Sequence, residues 1–188
     1  VSANTTARTV ARADTRDTIL EAANRIVVRD GASKLTLDAV AKEAGISKGG
    51  LLYHFGSRNA LIMGMIEADV ARVQARLDHL TDGSPGSWTR AYIQDTINVA
   101  MPTDLELNTS FIAALAENPE LIEPFRTASH EWQQRTENDG IDPVTATIIR
   151  LAVDGMYFSE LFDLAPPDSD LRERILNRLI EMTQPTKP

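Results

Sequence analysis

The stretch GISKGGLLYHF, from Gly45 to Phe55, admits three readings. Gly45-Ile46-Ser47-Lys48-Gly49 fits G-x-S-x-G, the turn that carries a hydrolase serine. Glycines beside a lysine suggest a loop that cradles phosphates. The third reading is the second helix of a helix-turn-helix, which enters the major groove of DNA by its N-terminal end.

The residues before Ser47 separate these. A nucleophile elbow and a phosphate loop both need a preceding buried strand. TLDAVAKEAG, from Thr36 to Gly45, has helical period instead, with Leu37, Val40, Ala41 and Ala44 facing inward. Lys48 also precedes its glycines, the wrong order for a phosphate loop. Triad partners would follow as an acid and then a histidine; only His54, His79 and His130 could serve, and His54 lies seven residues on in a short helical segment. The helix-turn-helix fits on several counts. Ala41 is small where two helices cross. Gly45 supplies the positive φ of the turn. Leu51 is a core contact from the second helix. Ser47, Lys48, Gly49, Gly50 and Tyr53 are left outward, short at the leading end, with hydroxyl and ammonium donors for phosphates and base edges.

The rest of the chain reads as all-α. Thr15–Arg29 carries Ile19, Ala22, Ala23, Ile26 and Val27 on one face and stops at Asp30-Gly31. Ser57 caps a long helix, Arg58 to about Leu80. TDGSPGS then breaks the pattern and is the clearest boundary. Further helices are expected at Trp88–Met101, Leu105–Glu117, Pro119–Glu137, Pro143–Leu164 and Pro167–Met182, with Pro119, Pro143 and Pro167 in first turns. In the last, Leu171, Ile175 and Leu179 recur at helical spacing beside Leu176 and Ile180.

Composition bounds the function. The 188 residues are 43% hydrophobic, enough for a core, and include no cysteine, so disulfides and thiol chemistry are excluded. No metal centre or cofactor is expected. No apolar run reaches the roughly 20 residues of a membrane span, and the polar N-terminus with Arg8, Arg12 and Arg16 is unlike a signal peptide. A cytoplasmic protein is the expectation. Net charge is −8. Residues 1–60 hold nine Lys/Arg and six Asp/Glu, whereas 61–188 hold ten and twenty-one. A basic head thus precedes an acidic body, and phosphate affinity is local because screening acts within about 10 Å.

TLDAVAKEAGISKGGLLYHFGSRNAL resembles the DNA-binding domain of the TetR family of bacterial transcriptional repressors. The resemblance implies three regions: a flexible basic arm over 1–14, a helix-turn-helix domain over 15–60 and a helical effector-binding and dimerisation domain over 61–188. It implies that Thr36 contacts phosphate, that Ser47, Lys48, Gly49 and Gly50 lead the recognition helix, that Tyr53 and His54 lie along the DNA backbone, and that Arg58 holds a phosphate. Phe55 matches an apolar plug under the domain. Gly50 and Leu52 depart from the family's pattern, standing where many relatives carry a polar or aromatic base reader. Base recognition then rests on few side chains, with DNA shape contributing.

The same resemblance implies a homodimer through the last two long helices on a palindromic operator. It also implies a small, largely apolar or aromatic effector. Candidates to line its pocket are Trp88, Tyr92, Phe111, Phe125, Trp132, Asp154, Met156 and Tyr157, residues that equally fill ordinary cores. His130, Glu131 and Asp154 offer polar recognition, and an anionic group favours a cationic ligand. The HEW and LAVDGMYF segments resemble members that bind aromatic cationic drugs. The expected function is a ligand-released repressor, not an enzyme. An activator or a corepressor-dependent regulator on the same fold is the alternative. An enzyme with an accessory DNA-binding head is the rival from another class.

Overall fold

The computed structural model describes the backbone of residues 2–98 and 118–184, and the side chains of 14–96 and 118–184. Among them every regular element is helical, with no strand. They divide into two compact units. The first takes in 2–68 and 118–122, the second 69–98 and 123–184.

In the first unit, α1 runs from Ser2 to Asp30. The expected helix began only at Thr15. No glycine or proline interrupts residues 2–30, so the backbone stays helical ahead of the apolar face. Ile19, Ala22, Ala23, Ile26 and Val27 are buried as the pattern requires. Gly31, at φ 84°, ends the helix, its N–H donating to the Val27 carbonyl at 2.9 Å. α2 (Leu37–Glu43) follows a 3-10 turn at Ala32–Lys34. Its end is a Schellman motif: Gly45 is at φ 69°, Ile46 N–H reaches the Ala41 carbonyl at 3.0 Å, and Gly45 N–H reaches that of Lys42 at 3.2 Å. That closure swings the chain into α3 (Lys48–His54). Val40, Ala41 and Leu51 are buried between these short helices. α4 (Arg58–Leu80) starts at the Ser57 cap, whose Oγ accepts from Ala60 N–H at 3.1 Å. Its first half buries Leu61, Ile62, Met65 and Ile66.

The second unit combines the later half of α4 with α5 (Ser87–Asn98), α6 (Glu123–Glu137), α7 (Pro143–Leu161) and α8 (Ser169–Met182). The TDGSPGS breaker therefore falls within this unit, because Val70, Val73 and Leu77 of α4 pack with Trp88, Ala91, Ala128 and Trp132. A second cluster joins Ile93 to Ile149, Val153, Leu176 and Leu179. Three boundaries differ from expectation. Pro119–Ile122 is a 3-10 turn and α6 starts only at Glu123. α7 stops at Leu161 rather than Leu164, since Asp163 and Ala165 take positive φ ahead of Pro166 and Pro167. Asp168, not Pro167, opens α8 by accepting from Leu171 N–H at 2.9 Å. Pro143 does occupy the first turn of α7, behind the Asp142 cap. The expected helix at 105–117 lies outside the described residues.

Candidate functional site

Two sets of residues stand out, one in each unit. In the first unit, capping fixes the starts of α2 and α3. Thr36 Oγ1 accepts from Ala39 N–H at 3.2 Å, and Ser47 Oγ accepts from Gly50 N–H at 3.0 Å. Both caps are exposed, as are Lys48, Gly49 and Tyr53. Gly50 and His54 are half-buried, and the Tyr53 and His54 rings meet edge to face at 5.4 Å. At 65% exposure the Tyr53 ring projects from the helix. Phe55 is buried under it, against Gly64 of α4, where an added Cβ would come within 2.6 Å of the ring.

Arg58 sits differently from an outward phosphate ligand. It is half-buried, and its Nε and Nη2 donate to the carbonyls of Leu35 at 2.9 Å and Ala32 at 3.3 Å. It therefore clamps the start of α4 onto the α1–α2 connection. Three arginines of this unit are engaged as well. Arg25 and Arg29 share Glu43, Arg29 also holds Asp30, and Arg16 pairs with Glu67. Hydrogen bonds from Arg25 and then Arg29 hold the Glu43 carboxyl below its ordinary range, and Arg29 does the same to Asp30. Lys48 Nζ lies 2.9 Å from Asp38 Oδ1 and 3.0 Å from Oδ2. Sequence reasoning passed over Asp38, which reads there only as an acid in the first turn of α2.

The second unit gathers Trp88, Tyr92, Trp132 and Phe125. Trp132 meets Tyr92 at 6.2 Å and Phe125 at 6.1 Å, both edge to face. Trp132 Nε1 donates to Gln74 Oε1 at 2.8 Å, and the Arg135 guanidinium covers Trp88 at 4.6 Å. Tyr92 joins the set to Asp154: its hydroxyl donates to Oδ1 at 2.6 Å, while Arg150 Nη1 donates to Oδ2 at 2.7 Å. Arg150 Nε continues the chain to Gln133 Oε1 at 2.6 Å. Burial pushes the Asp154 carboxyl up, against the opposing hydrogen bond from Tyr92 and the charge of Arg150. Burial, then Asp154, pushes the Tyr92 hydroxyl up.

Met156 and Tyr157 stand apart from the tryptophans. Met156 packs against the Ile93–Ile149 cluster, and Tyr157 meets Phe158 edge to face at 5.7 Å. Phe111 lies outside the described residues. His130 and Glu131 are exposed on α6. An open hollow of about 540 Å³ occurs elsewhere, at the start of α7 and the end of α8, lined by Ile141, Asp142, Thr145, Arg178, Glu181 and Met182 among others. Its rim is polar, and it does not include the tryptophans, which are closely packed at 3% and 5% exposure. Among the described residues no group of side chains is arranged for a metal ion, and no helix is long and apolar enough to cross a membrane.

Residues 19–64 match the family model described as bacterial regulatory proteins, tetR family, and 86–184 match the tetracyclin repressor-like C-terminal domain. The chain belongs to the TetR family. The Escherichia coli regulator UidR, described as HTH-type, is 38% identical over 69 residues, which make up 37% of this chain and 35% of UidR. The match thus spans about a third of that curated relative. A transcriptional regulator from Rhodococcus sp. Rha1 shares the fold with a TM-score of 0.69 at 21% identity, over 89% of this chain and 95% of that one. The multidrug binding protein EbrR in complex with imidazole gives a TM-score of 0.58 at 26% identity, over 87% of this chain and 93% of EbrR. In TetR-family terms, α2 and α3 are the helix-turn-helix, and the matched C-terminal domain holds the aromatic cluster and both of its final helices.

Proposed function

We propose that this chain is a ligand-responsive repressor that binds a palindromic operator as a homodimer and leaves it when a small aromatic effector binds. The observation that carries the DNA-binding half is the exposed leading edge of α3. Ser47, Lys48 and Gly49 stand outward there behind a satisfied cap, with Tyr53 projecting one turn later. Short side chains let the backbone approach a groove, and the hydroxyl and ammonium groups suit phosphates and base edges. Thr36, Gly50 and His54 belong to the same face. Arg58 serves it by holding α4 in place.

Dimerisation is supported by one face of α7. Val144, Ile148, Leu151, Phe158 and the cap residue Phe162 are all exposed and recur at i, i+4, i+7, i+14 and i+18. The opposite face buries Ala146, Ile149 and Val153 within the unit. An apolar stripe at this period is the seam of a helical pair, and a two-fold partner supplies the same stripe. Leu171 of α8 is exposed as well.

The effector reading rests on Trp88, Tyr92, Phe125 and Trp132, with Tyr92 hydrogen-bonded to Asp154. EbrR has been solved with ethidium, malachite green and proflavin, all aromatic. Asp154 already faces Arg150 and Tyr92, so ring stacking rather than a spare negative charge selects the ligand here. α4 contributes to both units and is the route by which a ligand biases the head. A ligand preference of about 1–3 kcal/mol for the non-binding form weakens operator affinity roughly 5–150-fold.

The test is fluorescence anisotropy of a labelled palindrome selected from a random DNA pool, titrated with protein at several salt concentrations and then with aromatic compounds. Selective binding that weakens steeply with salt and is reversed by a compound that quenches tryptophan supports the reading. A folded dimer that binds every duplex alike, or none, overturns it.

A further inference from the structure

The recognition helix opens with a cation held by an acid. Lys48 is the first residue of α3, where a positive charge is unfavourably placed against the helix dipole. Asp38, in the first turn of α2, grips its ammonium through both carboxylate oxygens, at 2.9 and 3.0 Å. Neither group is pinned by packing, since Lys48 is 57% and Asp38 72% exposed. The pair is not part of the core that holds α2 on α3, which is Val40, Ala41 and Leu51. It sits instead on the edge that meets DNA under the proposed function, on which this inference rests.

We propose that Asp38 is a specificity-determining residue that acts through Lys48. It places a negative charge beside the phosphate-facing ammonium, so the head gains little from an arbitrary duplex. It also holds the flexible lysine in one direction, lowering the ordering cost when the correct base edge is offered. Phosphate attraction is indifferent to sequence, whereas a base edge is not. A carboxylate at this position therefore suppresses the indifferent part more than the selective part.

The test compares the full chain with D38N, D38E and K48A, and with D38N in the K48A background, on the selected operator and on a scrambled duplex from low to moderate salt. D38N is expected to bind the scrambled duplex roughly three- to tenfold tighter at low salt, because one carboxylate within a Debye length of the phosphates is gone. Its plot of log affinity against log salt should steepen by up to roughly 0.9, and the ratio of operator to scrambled affinity should fall. D38E should restore both, and the effect should shrink when Lys48 is absent. An unchanged ratio and slope in D38N overturn the proposal, as does an equal effect in the K48A background. A wild-type chain that prefers its operator while D38N is silent removes only the role of Asp38. A wild-type chain without preference removes the DNA-binding reading too. D38S repeats the comparison should circular dichroism show D38N unfolded.

Discussion

The Asp139 carboxylate closes a helix end that lies 51 positions earlier in the chain. It accepts from Trp88 N–H at 3.0 Å and, at 2.7 Å each, from the N–H and hydroxyl of Thr89. Two N–H groups that a helix start leaves unpaired, and one hydroxyl, converge on one side chain. Asp139→Ala is expected to destabilise the protein by about 1–3 kcal/mol, read as a lower urea midpoint. Glu43 makes the matching prediction for pH. Its carboxyl is lowered in the folded state by Arg25 and Arg29, so its stabilising contribution is present above the unfolded value, about 4, and is lost as pH falls through the folded value. Glu43→Gln should therefore flatten the loss of melting temperature between neutral pH and pH 3. The two arginines that hold Glu43 are more than half exposed, so the effect is small at neutral pH. The residue type at Ser57 announces its capping role in the sequence. The partners of Asp139, Arg58 and Asp38 do not, because each is reached only after the chain has folded back.

At the scale of elements, glycines separate backbone demand from space. Gly83 and Gly86 both have positive φ, 80° and 77°. Around Gly83 an added Cβ meets nothing, whereas at Gly86 it would lie 2.6 Å from the Thr183 carbonyl oxygen. Gly83→Ala should cost about 1 kcal/mol for the left-handed backbone alone. Gly86→Ala should cost clearly more, since the end of α8 must also move. Denaturant titration of the two variants side by side measures the difference, and equal costs would mean that the contact with Thr183 yields freely. The helix boundaries tell a similar story. Gly31 and Gly45 end their helices where the pattern stops. The ends of α7 and α6 were misplaced because prolines mark where a helix is disfavoured, not which neighbouring residue takes the last helical turn.

For the whole molecule, the stripe on α7 makes the prediction. Ile148 and Leu151 are 52% and 55% exposed at the middle of that face. Replacing both with glutamate leaves the buried residues of α7, Ala146, Ile149, Val153 and Leu161, in place, so the chain should stay folded by circular dichroism. Under the proposed function the wild type sediments as a dimer; the variant should sediment as a monomer, and operator binding should fall with it. Two glutamates that leave the dimer intact would move the interface elsewhere. Periodicity alone could not divide α7 into a face turned inward and a face left over, since both are apolar. The sequence does determine the helices and the helix-turn-helix, because period, caps and a glycine stop are local and each acts within a few residues. It likewise marks Lys48, Gly49 and Tyr53 as outward, since Leu51 and Phe55 claim the other side. Only the tertiary structure decides that Arg58 is a clamp, that Asp38 holds Lys48, and that Asp154, already one turn from Arg150 on α7, meets Tyr92 of α5. Those outcomes depend on which helix faces meet, and packing sets that across separations the local pattern does not encode.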